Sequence, residues 1–346
     1  MTRSTDNRWL HRFALLTAVA TLGLIGVGGL VTSHGAGMAV PDWPTTYGEN
    51  MFLFPVSQWV GGIFYEHTHR LYASGVGLLT TILAVWLWMK ESRAWLRWLG
   101  VLAFFLVAFQ GVLGGLRVTM FKDEIGIFHA TIAQLFLVLV SAIALFTSRW
   151  WVQNTAQMGR LATGSFRHLV LATTALILLQ LILGATMRHQ HAGLAVPDFP
   201  LAYGKIWPPT DEEFVHAANA QRIDPRDFHP ITAGQIQLHM AHRIGAVLIL
   251  LLSGACVWYV RRSVSPNAPL ARMTGLWFGL ISLQAVLGAA TVWSNKSAEI
   301  TTLHVVMGAL SLVTGAMLYI ATQALSAKAA VRAASGAPGR AAMATI

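Results

Sequence analysis

His69, His129, His242 and His304 each lie at the head of a long apolar run. Two imidazoles facing each other between helices can ligate one heme iron axially, so His69 with His129, and His242 with His304, form two candidate bis-imidazole sites. A lone histidine at the edge of such a run is usually an interfacial residue. Four in matching positions are harder to explain that way, because ionisable groups near hydrocarbon are costly without a task. Zinc fits less well, since each pair offers two imidazoles and no third ligand recurs in both places. Glu66 belongs to one pair only. In "EHTHR" (66–70) it precedes His69 by three residues, on nearly the same helical face, whereas "HMAHR" (239–243) has His239 there. A carboxylate beside an iron site can act as a general base or stabilise developing positive charge. The plainer alternative is an acid favoured by a helix N-terminus.

Arg70, Arg117, Arg188 and Arg243 stand at the same ends of the apolar runs as the histidines. Guanidinium groups pair well with carboxylates, and heme carries two propionates. Snorkelling toward the membrane surface is the alternative for each, with Arg70 and Arg243, beside proposed ligands, the better propionate candidates. His67 points away from His69 and is expected at the membrane interface. His34, His189 and His191 flank the repeat loops and are expected to be loop residues.

The elements that must hold these groups are membrane helices. The 346-residue chain is 55% hydrophobic and 11% charged, with mean hydropathy +0.57. A soluble domain carries about 25% charged residues, so this is the balance of a membrane protein. Runs long enough to span the bilayer lie near 13–32, 69–89, 95–117, 126–147, 168–187, 240–260, 272–293 and 302–324. The net charge of +10 is distributed by topology: Lys and Arg gather in the connections that share a side with both termini, and 33–65 has none. That bias places both termini in the cytoplasm and argues against nucleic acid as a partner. The single cysteine, Cys256, excludes an intramolecular disulfide. No cleavable signal pattern opens the chain, so the first run is expected to remain as an anchor.

The chain reads as a repeat. "GAGMAVPDWPTTYG" (35–48) matches "HAGLAVPDFPLAYG" (191–204); "QGVLGG" (110–115) recurs as "QAVLGA" (284–289) and more weakly as "QLILGA" (180–185). The expected fold is therefore an all-α membrane protein of eight transmembrane helices, arranged as two tandem, similarly oriented four-helix bundles. The halves are 1–167 and 168–325, joined by an inner linker near 148–167, with a disordered cytoplasmic tail at 326–346. P-D-W-P and P-D-F-P read as turns, in which Asp bonds local backbone. The 205–238 stretch has no counterpart in the first half and is expected to carry a short surface helix.

These residues resemble the heme A synthase family over roughly 13–324. The resemblance rests on the double bundle, "GGLVTSHGAGMAVPDWP" (28–44), "EHTHR", His129, "HMAHR" and His304. It implies an enzyme that oxidises the C8 methyl of heme O by successive hydroxylations, the dihydroxylated carbon losing water to give the formyl group of heme A. It also implies a substrate-heme site with Glu66 as the catalytic residue and His69 and His129 as ligands, to which Arg70 and Arg117 would belong. His242 and His304, with Arg243 and Arg188, would hold heme b for electron transfer. The product would serve heme-copper oxidases. Expected partners are the lipid bilayer, heme O synthase and an electron-transfer protein, with self-association an open possibility, and the expected location is a bacterial cytoplasmic membrane. Many relatives carry a cysteine pair around the P-D-W-P turn. Here Val40 precedes Pro41, so no thiol chemistry belongs to that loop. The rival reading is a diheme cytochrome that only moves electrons, in which Glu66 has no evident task. A transporter is a distant third, because its ionisable groups would sit near the midplane.

Overall fold

Inside hydrocarbon every backbone N–H and C=O must find its partner within the segment, so long apolar runs fold as helices. The computed structural model describes residues 7–151, 153, 164–221, 230–266 and 268–323. Its helices are α1 (Arg8–Ser33), α2 (Gly62–Lys90), α3 (Ala94–Thr119), α4 (Asp123–Thr147), α5 (Gly164–His189), the short α6 (Glu212–Ala220), α7 (Ala233–Ser263), α8 (Pro269–Trp293) and α9 (Ala298–Gln323). All but α6 are long and apolar enough to cross a membrane. Among the described residues no strand forms beyond two isolated bridges. The expected tail at 326–346 and most of the expected linker lie outside the described residues.

The helix starts follow local chemistry. Asn7 Oδ1 accepts from the N–H groups of Trp9 and Leu10. A full capping box joins Thr232 and Gln235 ahead of α7. Gly61, before α2, has φ +54°, a conformation that favours glycine. The helices α2 and α7 have 29 and 31 residues, so at about 1.5 Å per residue both exceed the ~30 Å hydrocarbon layer. They begin seven residues before the apolar runs at 69 and 240, which places both pentapeptides inside helices. The leading turns are polar because connecting loops pack on them, so hydropathy alone does not mark them as helix.

Helices α1, α2, α3 and α4 close one ring, each packed on two neighbours, and α5, α7, α8 and α9 close a second in the same way. The rings join along α1–α9, α4–α5 and α4–α9. Leu83, Leu87, Leu96 and Ile143 fill the first core. Phe166, Trp277 and Leu318 are central to the second, where the Trp277 indole N–H donates to the Ser311 carbonyl at 2.8 Å. Large apolar side chains such as Phe105, Leu251 and Leu276 point outward, as lipid-facing surfaces require.

Both long connections, 34–61 and 190–232, emerge at one end of the molecule, and their repeated sequences fold alike. Asp42 accepts from Tyr47 and Gly48 N–H (2.8 Å each), as Asp198 does from Tyr203 (2.6 Å) and Gly204 (2.8 Å). Tyr47 Oη donates to the Ala39 carbonyl, and Tyr203 Oη to that of Ala195. Both tyrosines have φ +52°, a strained value that each loop holds in place. The expected surface helix is α6. Its Asn219 side chain bonds both the N–H and the C=O of Ile231, tying α6 to the chain just ahead of α7.

Candidate functional site

Each of the four histidines lies between the seventh and tenth residue of its helix, deeper than the first turn expected from the apolar runs. The even-numbered spans α2, α4, α7 and α9 all begin at the long-connection end, so the imidazoles share a depth. His69 and His129 belong to the first ring of helices, and His242 and His304 to the second.

A glycine on the preceding span backs every one of these rings. A Cβ on Gly28 would lie 3.1 Å from His69 Cε1; on Gly114, 3.5 Å from His129 Cε1; on Gly184, 3.3 Å from His242 Cε1; on Gly288, 3.1 Å from His304 Cε1. Nδ1 of His69, His129 and His242 is inaccessible and has no hydrogen-bond partner, although each residue as a whole is half-buried. The accessible edge is therefore elsewhere on the ring. His304 Nδ1 lies 3.1 Å from the Gln284 carbonyl oxygen, which can only accept, so that ring donates through Nδ1 and its Nε2 carries the lone pair that could ligate. Glycine-backed rings with buried Nδ1 atoms suit axial ligation of heme iron, so the residues fit the group that their types suggest.

Glutamines four residues before three of these glycines tie the same helices together. Gln110 Nε2 donates to the His129 carbonyl (3.2 Å) and Gln180 Nε2 to that of His242 (2.7 Å). Gln284 Nε2 lies 3.5 Å from His304 Nε2. Sequence reasoning saw the repeated "QGVLGG", "QLILGA" and "QAVLGA" but gave these side chains no task.

Glu66 is 4% exposed. Oε2 accepts from the Val40 N–H at 2.8 Å and Oε1 from Arg70 at 2.8 Å. Arg70 also donates to the carbonyls of Val40 (2.7 Å), Asp42 (2.6 Å) and Thr45 (3.0 Å), so Glu66 and Arg70 clasp the P-D-W-P loop onto α2. The second half repeats the clasp with different chemistry. There the Val196 N–H donates to His239 Nδ1 at 3.3 Å, and Arg243 donates to the carbonyls of Asp198 (2.6 Å) and Leu201 (2.8 Å). His67 is not interfacial as expected. It is fully buried under the loop, with Thr46 Oγ1 3.2 Å from Nδ1 and Phe54 and Trp59 against its ring. Its partners come from a loop whose course hydropathy does not reveal.

The other two arginines differ from this pattern. Arg117 pairs with Asp123 at 3.1 Å and leaves Nε buried and unpaired. Arg188, from the second half, donates across the junction to the Gly29 carbonyl and to Ser33 Oγ (2.6 Å) on α1. His189 packs against Gly126 of α4, also across the junction. Asp42 lies in the loop, outside the spans. Partial burial would raise its pKa, but bonds from Gly48 N–H, the Thr45 hydroxyl and Tyr47 N–H outweigh that and hold it below the usual carboxylate value.

Curated relatives share this sequence over most of its length. The chain is 27% identical to a protein named heme A synthase from Halalkalibacterium halodurans, covering 74% of this chain and 78% of that one. It is 25% identical to a heme A synthase from Alkalihalophilus pseudofirmus (90% and 96%) and 26% identical to one from Geobacillus kaustophilus (98% and 99%). Residues 54–316, which hold all four histidines, Glu66, Arg70 and Arg243, match one family model, and the chain belongs to that family: the cytochrome oxidase assembly proteins, COX15-CtaA.

Proposed function

We propose that this chain is a heme A synthase, a membrane oxidoreductase that converts the C8 methyl of heme O to a formyl group. The observation that carries the reading is an asymmetry within a symmetric frame. Both halves present a glycine-backed histidine pair, yet only the first adds a buried carboxylate one turn from a histidine. His69 and His129 hold the substrate heme. His242 and His304 hold heme b, which supplies one-electron redox chemistry when bound. Arg117, whose Nε has no partner, is the better propionate anchor in the first half, since Arg70 is already engaged by four acceptors.

Glu66 is held rigidly by the Val40 N–H and Arg70, but each carboxylate oxygen retains a second lone-pair site. Those sites can orient a water or stabilise positive charge at the methyl carbon as it is oxidised. A fixed, buried carboxylate suits electrostatic stabilisation better than a base that must swing.

The basic residues near the linker side support a topology with both termini in the cytoplasm and the four histidines toward the outer face of a bacterial membrane. Heme O synthase and an electron-transfer protein are the expected partners, and further copies of the chain can pack through the lipid-facing surface.

The test is heme extraction from membranes of cells supplied with heme O. The wild-type chain should accumulate formyl heme, and Glu66→Gln should bind heme normally but form heme A at least about 100-fold more slowly, the scale of losing one preorganised electrostatic group. Full-rate conversion by Glu66→Gln would sink the assigned role. Unchanged heme with the wild-type chain would favour the electron-carrier reading.

A further inference from the structure

The four histidines are backed by four glycines but by only three glutamines. Gln110, Gln180 and Gln284 stand one helical turn before Gly114, Gly184 and Gly288, on the same face of α3, α5 and α8. The corresponding position in α1, one turn before Gly28, is Leu24. An imidazole that ligates metal through Nε2 almost always donates its Nδ1–H to an acceptor, which fixes the tautomer, orients the ring and raises its basicity. At His304 that acceptor is in place, the main-chain oxygen of Gln284 at 3.1 Å. At His129 and His242 the Nδ1 atom is buried without a partner, and so is Oε1 of the glutamine already bonded to that histidine's carbonyl. A buried donor and a buried acceptor, both unsatisfied, thus belong to one hydrogen-bonded residue pair. Leaving both unmade costs about 1–3 kcal/mol each, a cost that a bond between them would remove. His69 Nδ1 is equally buried and unpaired, and the Leu24 side chain offers no acceptor.

We propose that Gln110 and Gln180 are positioning residues whose side chains accept Nδ1–H from His129 and His242, and that Leu24, in the matching place behind His69, makes the first-half site the one that releases its heme. This rests on reading the histidines as heme ligands. The second half then holds His242 through the Gln180 side chain and His304 through the Gln284 main-chain oxygen, as a resident cofactor requires. The first half holds His129 firmly and His69 loosely, as a site must when its occupant arrives as substrate and leaves as product.

The test loads the purified full-length chain with heme and follows transfer to excess apomyoglobin. Parent protein should give a fast phase from the first half and a slow phase from the second. Leu24→Gln should slow the fast phase about 10-fold, and Gln180→Leu should speed the slow phase about 10- to 100-fold, the range for removing a partner of a metal-bound histidine. Redox titration of the slow-phase heme supplies a readout that altered packing would not reproduce. Gln180→Leu should raise its midpoint potential and Gln180→Glu, a stronger acceptor, should lower it. Unchanged phases and potentials in variants that keep a bis-imidazole spectrum would overturn the proposal alone. Absence of that spectrum in the parent protein would overturn it together with the ligand assignment.

Discussion

Replacing Arg70 by alanine should detach the 34–61 loop from α2. The Arg70 side chain is 9% exposed and donates four bonds, three to loop carbonyls and one to Glu66, whose own side chain is 6% exposed. Removing one partner of a buried ion pair costs about 3–5 kcal/mol, because the other charge is left uncompensated. At about 1.4 kcal/mol per tenfold, the undocked population of the loop should rise by roughly two to three and a half orders of magnitude. Arg70→Lys should recover little, since an ammonium cannot span the acceptors that the guanidinium fork reaches. The second half supplies an internal control. Arg243 donates two carbonyl bonds there and, among the described residues, none to a carboxylate, so Arg243→Ala should loosen the 190–205 loop by less. Hydrogen exchange followed by mass spectrometry reads both loops in one experiment. The double variant Glu66→Ala/Arg70→Ala removes the stranded charge and should be milder than the sum of its parts, with a coupling of about 1–3 kcal/mol. Additive single variants, or a 34–61 peptide as protected in Arg70→Ala as in the parent, would refute the clasp.

Acid should undo the same loop through Asp42. Its pKa is depressed in the folded chain, so its contribution is complete above the unfolded value of about 3.9 and is lost as pH falls through the lower folded value. Exchange protection of the loop should therefore hold from neutral pH to about 4 and decline below it, and Asp42→Asn should remove the part of that acid limb that Asp42 contributes. In the second core, a Cβ on Gly315 would sit 2.6 Å from both Thr174 Oγ1 and Trp277 Cζ2. Gly315→Ala should cost about 1–3 kcal/mol by overpacking, read as an earlier thermal loss of near-UV circular dichroism.

Legibility in the sequence followed the range of the signal. Eight spans and a duplicated half could be read because apolar runs and repeated words are local. The histidines could be grouped because equal spacing within equal helices fixes equal depth. The starts of α2 and α7 could not be read, because Glu66, His67 and His239 are polar residues whose loop partners lie 21 to 43 residues away in the chain. Arg188 looked like a propionate partner within its own half, but its hydrogen bonds run to α1 in the other half. Packing between bundles leaves no periodic trace in a single sequence.

The proposed assignment has duplication separate holding from reacting. The loop needs an acceptor for the N–H that precedes its proline, and either Glu66 or His239 supplies one, so the fold itself does not demand a carboxylate. A glutamate costs more, because a buried negative charge requires Arg70 to neutralise it. The first half bears that cost at the position one turn from a histidine, where a fixed charge can act on an oxidisable carbon. The same half lacks the glutamine behind that histidine. On the proposed reading, charge gained at Glu66 and anchorage absent at Leu24 converge on His69, so the site proposed to react is also the site proposed to let go.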